Sequence, residues 1–253
     1  MIAVEHQDGL AIVRMEHRKV NALDVEFCEE LTGRLTELEA GPAAAVVLTG
    51  RGKVFSAGVD LLRILDGGAP YVRRFLPAFH RFFEVLFSFP KPLVAAINGH
   101  AIAGGCVLAC TADRRIMERG AGRVGIPELR VGVPFPAAPV EIIRFAAPAR
   151  HFPDLIYGGA VVESDEAIER GLVDEVVEPG RALERSLAVA ADLASMGAAK
   201  FRLTKSQIRG PATERIESEH RRTAQAVEAI WCDDSTLAGI SDYVSRTFKR
   251  PGS

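Results

Sequence analysis

The sequence predicts an α/β body over residues 1–195 followed by a helical region over residues 196–253. Three observations carry this expectation. Short β-rich runs at residues 45–49, 93–98 and 114–118 alternate with segments of helical apolar spacing. The run at 93–98 is apolar throughout, as in a strand covered on both faces of a sheet. Beyond residue 181 the strand patterning stops, and every segment reads as helix.

In chain order, residues 2–6 and 10–15 read as strands around the turn Gln7-Asp8-Gly9. Residues 25–39 place Phe27, Cys28, Leu31, Leu35 and Leu38 at helical spacing. Residues 45–49 form the next strand, closed by the turn Gly50-Arg51-Gly52. A second helix carries Phe75, Phe79, Phe82, Phe83 and Leu86 and ends before Pro90. Gly104 or Gly105 opens a helix that runs to Ala112, and residues 114–118 return to strand. Ser164 begins a helix with Asp165 and Glu166 in its first turn and Gly171 past its end. A strand follows at 173–177, then helices at 181–195, 200–208, 213–232 and 235–248. No repeat, linker or low-complexity stretch interrupts the chain.

Composition narrows the function. Of 253 residues, 48% are hydrophobic and 25% charged, and the net charge is −2 with both signs dispersed. This is a globular balance with no signature of nucleic-acid or membrane partners. Residues 92–112 carry no charge, but Asn98, His100 and three glycines (Gly99, Gly104, Gly105) break the run, which reads as buried strand, turn and helix. Cys28, Cys106, Cys110 and Cys232 form no C-x-x-C pair and read as buried thiols in a reducing compartment. The N-terminus lacks the pattern of a signal peptide, so a cytoplasmic protein is expected.

Two glycine-containing loops carry the chemistry. Val54-Phe55-Ser56-Ala57-Gly58-Val59-Asp60-Leu61 follows a strand, and its small residues let the backbone turn sharply and present N–H groups. Asn98-Gly99-His100-Ala101-Ile102-Ala103-Gly104-Gly105-Cys106 runs from strand into helix, where free N–H groups and the helix dipole suit an oxyanion. With Val20-Asn21-Ala22-Leu23, Lys91 to Gly99, Ile126-Pro127-Glu128-Leu129-Arg130-Val131-Gly132, Glu166-Ala167, Gly171-Leu172-Val173-Asp174 and Leu203-Thr204-Lys205, these loops resemble the crotonase family of enoyl-CoA hydratases and isomerases over nearly the whole chain.

The resemblance implies a spiral of ββα units, a helical C-terminal region, and assembly as a homotrimer or homohexamer. It implies an acyl-CoA thioester substrate, with coenzyme A present as part of that substrate and no other cofactor and no metal. It assigns the oxyanion donors to the N–H groups of Val59 and Gly104, with Ala103 in place of a usual glycine. It places Ala22, Ala57, Gly58, Asp60, Leu61 and Val107 beside the substrate. Hydratases of the family hold a water between two glutamates. One position is Glu128; the other is Val107, which cannot accept a proton.

A single glutamate suffices to move a double bond from the 3,4 to the 2,3 position, taking a proton from C2 and returning it at C4. The sequence therefore reads best as an enoyl-CoA isomerase of fatty acid metabolism. Hydration, thioester hydrolysis, decarboxylation and acyl-CoA binding without catalysis are the alternatives. His100 reads as a structural hydrogen-bonder, and the Phe75–Phe83 stripe as core at the edge of the acyl pocket. Lys205 and Arg63 are candidates for coenzyme A phosphates. Asp113 and Glu141 are further carboxylates that spacing does not place in the site.

Overall fold

The computed structural model describes residues 2–247. β1 (Ile2–Gln7) and β2 (Leu10–Met15) form an antiparallel hairpin, and α1 (Val25–Ala40) follows. Asp24 caps α1 by accepting the Phe27 N–H at 2.8 Å. β3 (Val46–Gly50), β4 (Val54–Ser56), α2 (Leu61–Ser88), β5 (Leu93–Ile97), β6 (His100–Ile102), α3 (Gly104–Cys110) and β7 (Arg114–Glu118) complete the first half. Next come β8 (Val124–Gly125), α4 (Glu128–Val131), α5 (Ala137–Ala146), α6 (Phe152–Gly158), β9 (Val161–Val162), α7 (Ser164–Glu169) and β10 (Glu175–Val177). α8 (Ala182–Ser195), α9 (Ala198–Trp231) and α10 (Asp234–Thr247) close the described chain.

Two sheets result. The larger has the order β1-β2-β3-β5-β7-β10, parallel except for the first hairpin, and the smaller the order β4-β6-β8-β9. Successive turns of chain add one strand to each sheet, the repeating spiral of a crotonase fold. β3 and β5 are buried on both faces: one face meets the main core, the other packs under α8 through Val47, Val94, Ala96 and Ala190.

The structure departs from the sequence expectation in several places. The second helix begins at Leu61, well before Phe75, and is broken at Gly68, whose φ of 54° is open to glycine. Pro70 then sits just past that break, where its missing N–H is tolerated. The strands of the smaller sheet and the helices α5 and α6 have no counterpart in the sequence reading. The helices expected at 200–208 and 213–232 are one, continuing through Pro211. Phe248, assigned to the last helix, lies outside the described residues.

The C-terminal helices pack against their own body. α9 lies on α2 and α5, and α10 on α2 and α4. Ile216, Val227 and Trp231 are buried there, Leu237 is partly buried, and Ile230 stays exposed. The apolar surface of the tail is thus largely covered within one chain. No helix among the described residues is long and apolar enough to cross a membrane.

Candidate active site

The entry segment Val20–Leu23 zips onto the loop that follows β4. Ala57 N–H donates to Val20 O at 3.0 Å, Leu23 N–H to Gly58 O at 2.8 Å, and Asp60 N–H to Leu23 O at 3.0 Å. Ser56 Oγ ties the same loop to Asn21 O at 2.7 Å and accepts from Gly58 N–H. In the bridge to Leu23 the bonding edge is formed by Gly58 O and the Asp60 N–H, two residues apart. Alternation along an extended chain turns the Val59 N–H the other way, and it has no partner among the described residues.

The second loop enters α3 through Ala103, held at φ 53° and ψ −129° by its N–H on Gly125 O at 2.7 Å. Ala103 O takes the N–H groups of Cys106 and Val107. The Gly104 N–H, in the first turn of α3, is one of the donors that a helix start leaves free. The two loops touch. A Cβ on Gly58, which has φ +84°, would lie 2.6 Å from Ile102 O and 3.1 Å from Gly104 N. Only glycine at 58 allows both free N–H groups to belong to one site.

Glu128 comes from a third direction. Pro127 caps α4, and Gly132 ends it in the left-handed conformation with its N–H on Glu128 O. The side chain of Glu128 is buried, and Oε2 has no hydrogen-bond partner. Burial pushes its carboxyl up to about 8, against a smaller pull downward from its own backbone N–H. An unpaired carboxyl with such an affinity for protons can both take and return one near neutral pH.

These parts meet at a cavity of about 580 Å³. Ala57, Val59, Leu61, Ala103 and Glu128 lie on its wall, with Phe79, Val131, Val133 and Phe135. Gly58 and Gly104 stand at the junction just behind. Ala22 is nearly buried outside the wall. Asp60 caps α2 through the Arg63 N–H and pairs with Arg18. Val107 is fully buried in the core and does not reach the wall. His100 accepts the Arg123 N–H at 3.2 Å, the structural role expected, at the rim of the cavity.

Three other expectations are resolved by pairing. Lys205 is buried against Asp113 at 2.7 Å and Lys91 O at 3.0 Å, so it is not free for a phosphate. Arg63 pairs with Glu26 and covers the Tyr71 ring. Asp113 holds Lys205, Arg209 and the Leu93 N–H, while Glu141 holds Arg144 and Arg215. Neither carboxylate lies on the cavity wall. The sequence reading missed the contribution of the tail, since Trp231, Tyr243 and Thr247 also line the cavity. A single tryptophan at the apolar end of a helix was the available signal.

The sequence model of the enoyl-CoA hydratase/isomerase family matches residues 5–249. The chain belongs to this family. Among relatives, a putative enoyl-CoA hydratase of Thermus thermophilus is 39% identical over 81% of this chain and 82% of its own length. The mitochondrial enoyl-CoA delta isomerase 1 of Rattus norvegicus is 26% identical over 100% of this chain and 88% of its own. The structure of human mitochondrial delta3-delta2-enoyl-CoA isomerase superposes with a TM-score of 0.94 at 26% identity, covering 99% of both chains. An enoyl-CoA hydratase from Mycobacterium marinum superposes at 0.82 and 26% identity, covering 89% of this chain and 99% of its own. Family members of both names therefore share this fold, and the site must discriminate between the reactions.

Proposed function

We propose that this enoyl-CoA hydratase/isomerase family protein is an isomerase that moves a 3,4 double bond of an acyl-CoA to the 2,3 position. One observation carries the reading: Glu128 is the single carboxylate on the cavity wall among the described residues. Hydration in this family calls for a second carboxylate to hold the water, and valine stands at that position.

In the proposed reaction the thioester oxygen accepts from the N–H groups of Val59 and Gly104. The Glu128 carboxylate removes a proton from C2, and the electron pair moves onto the oxygen as a dienolate. Collapse of the dienolate forms the C2–C3 double bond, while C4 takes the proton from the Glu128 carboxylic acid. The carboxylate is regenerated and no atom is gained or lost. Each oxyanion donor contributes about 3–4 kcal/mol of barrier lowering. The apolar wall around Glu128 keeps the carboxyl desolvated and its proton from exchanging with bulk water.

Hydration of 2-enoyl-CoA is the second reading, favoured by the names of several relatives. Glu128→Gln tests the mechanism, because it keeps shape and removes the proton carrier. Turnover of 3-enoyl-CoA should fall at least about a thousandfold while acyl-CoA binding persists. Unchanged turnover would refute the mechanism. The wild-type kcat/KM for 3-enoyl-CoA should rise with pH up to about 8, because the carboxylate is the competent form in the free protein.

Assembly as a trimer or hexamer belongs to the same proposal. Met196, Leu203 and Ile208 remain exposed near the start of α9 and would be covered by neighbouring copies. Light scattering at micromolar concentration should give at least three chain masses, and a monomer would contradict this.

A further inference from the structure

The wall of the cavity has exposed and buried parts. Val20 is 39% exposed and His100 and Thr247 are exposed, Tyr243 is half-buried, and Phe79, Val131, Val133 and Trp231 are buried. The nucleotide part of coenzyme A is large and polar and must stay near solvent. The side at Val20 and His100, which flanks the loops carrying the Val59 and Gly104 N–H groups, is therefore the mouth, and the acyl tail runs toward the buried side at Trp231.

Trp231, the last residue of α9, has the largest side chain at that end and is 2% exposed. It is immobilised on two sides. Its ring packs against Phe75 with centroids 6.4 Å apart. Its Nε1–H donates to Pro134 O at 3.0 Å, which ties α9 to the stretch carrying Val133 and Phe135. The ring cannot swing aside without stranding a buried donor and opening a void.

We propose that Trp231 ends the acyl tunnel and sets the longest chain that the protein accepts, which makes short- and medium-chain 3-enoyl thioesters its substrate class. This rests on the isomerase reading for the reaction, though not for the fit. The cavity is of ordinary small-ligand size and must also take the thioester end of the pantetheine arm. A long chain therefore needs space that the indole now fills. Each methylene admitted to that space gains about fourfold in kcat/KM.

The experiment is a series of 3-enoyl-CoA substrates from six to sixteen carbons, offered to wild type, Trp231→Ala and Trp231→Phe. Wild-type kcat/KM should fall beyond medium chains. Trp231→Ala should raise the long-to-short ratio by about tenfold or more. Trp231→Phe keeps most of the bulk and loses the hydrogen bond, so it should lower the melting temperature and keep the wild-type ratio. If the alanine variant does not fold, Trp231→Leu carries the same expectation. An unchanged ratio in the smaller variant would leave Trp231 a structural residue only and overturn the proposal. Calorimetric binding of saturated acyl-CoAs over the same lengths separates the two claims. If wild type converts no 3-enoyl-CoA, the isomerase reading fails, while the ratio of Kd values still decides the role of Trp231.

Discussion

At the scale of single residues, the site is built from groups held in states that the fold alone would not choose. Glu128 binds its proton more tightly in the fold than in the unfolded chain, about 8 against an ordinary 4.5. Its contribution to stability is therefore fully present below pH 4.5 and is lost as pH rises through about 8. Glu128→Gln should melt higher than wild type at pH 9, and the gap should shrink toward pH 5; an equal gap at both would show that the carboxyl is solvated. Ala103 is the second such residue, since a φ of 53° with ψ −129° is glycine territory. Ala103→Gly should raise stability by about 1 kcal/mol in denaturant titration, strain relief exceeding the added chain entropy. A loss of stability would mean that the Ala103 methyl on the cavity wall contributes more than its backbone strain costs.

At the scale of elements, the long helices α2 and α9 hold the site together, and polar groups buried between elements set the terms. His80 of α2 stacks on His220 of α9 with ring centroids 3.5 Å apart, and its Nδ1 has no partner. Burial lowers the proton affinity of His80, Glu84 raises it, and His220 opposes it. Because the fold binds that proton less tightly than the unfolded chain, stability falls as pH drops below about 6.5. His80→Gln should lose less stability than wild type between pH 7.5 and 5; a parallel loss would show that His80 does not set this pH dependence. Asp113 is the other fastener, joining Lys205 and Arg209 of α9 to the Leu93 N–H at the start of β5. Asp113→Asn should cost about 3–5 kcal/mol, since it leaves two buried cations uncompensated. These contacts also explain what periodicity could not read. Gly210-Pro211 marks a break by local propensity, yet Arg209 bonded to Phe87 O and Thr111 O, with Ala212 and Ile216 buried, carries the helix through. β8 and β9, two residues each, and α6, begun by Phe152-Pro153, are too short for a period to register.

At the scale of the whole molecule, most of the spiral and both glycine loops were legible, because strands buried on two faces and glycines at close approaches leave local marks. β2 and β7 match their expected bounds, and Gly58 meets the steric need its loop implied. The placement of the tail was not legible. Ile216, Val227 and Trp231 announce a buried face, but nothing local says whether a neighbouring copy or the chain's own body covers it. The structure folds α9 and α10 back, so that Trp231, Tyr243 and Thr247 complete a cavity that the first half of the chain only begins. The central claim is that this cavity holds one working carboxylate. Its most direct test offers wild-type protein 3-enoyl-CoA and 2-enoyl-CoA separately and reads products by absorbance and mass. Conversion of the first to 2-enoyl-CoA, with little water added to the second, is the predicted result. Rapid hydration of 2-enoyl-CoA with no conversion of 3-enoyl-CoA would contradict it.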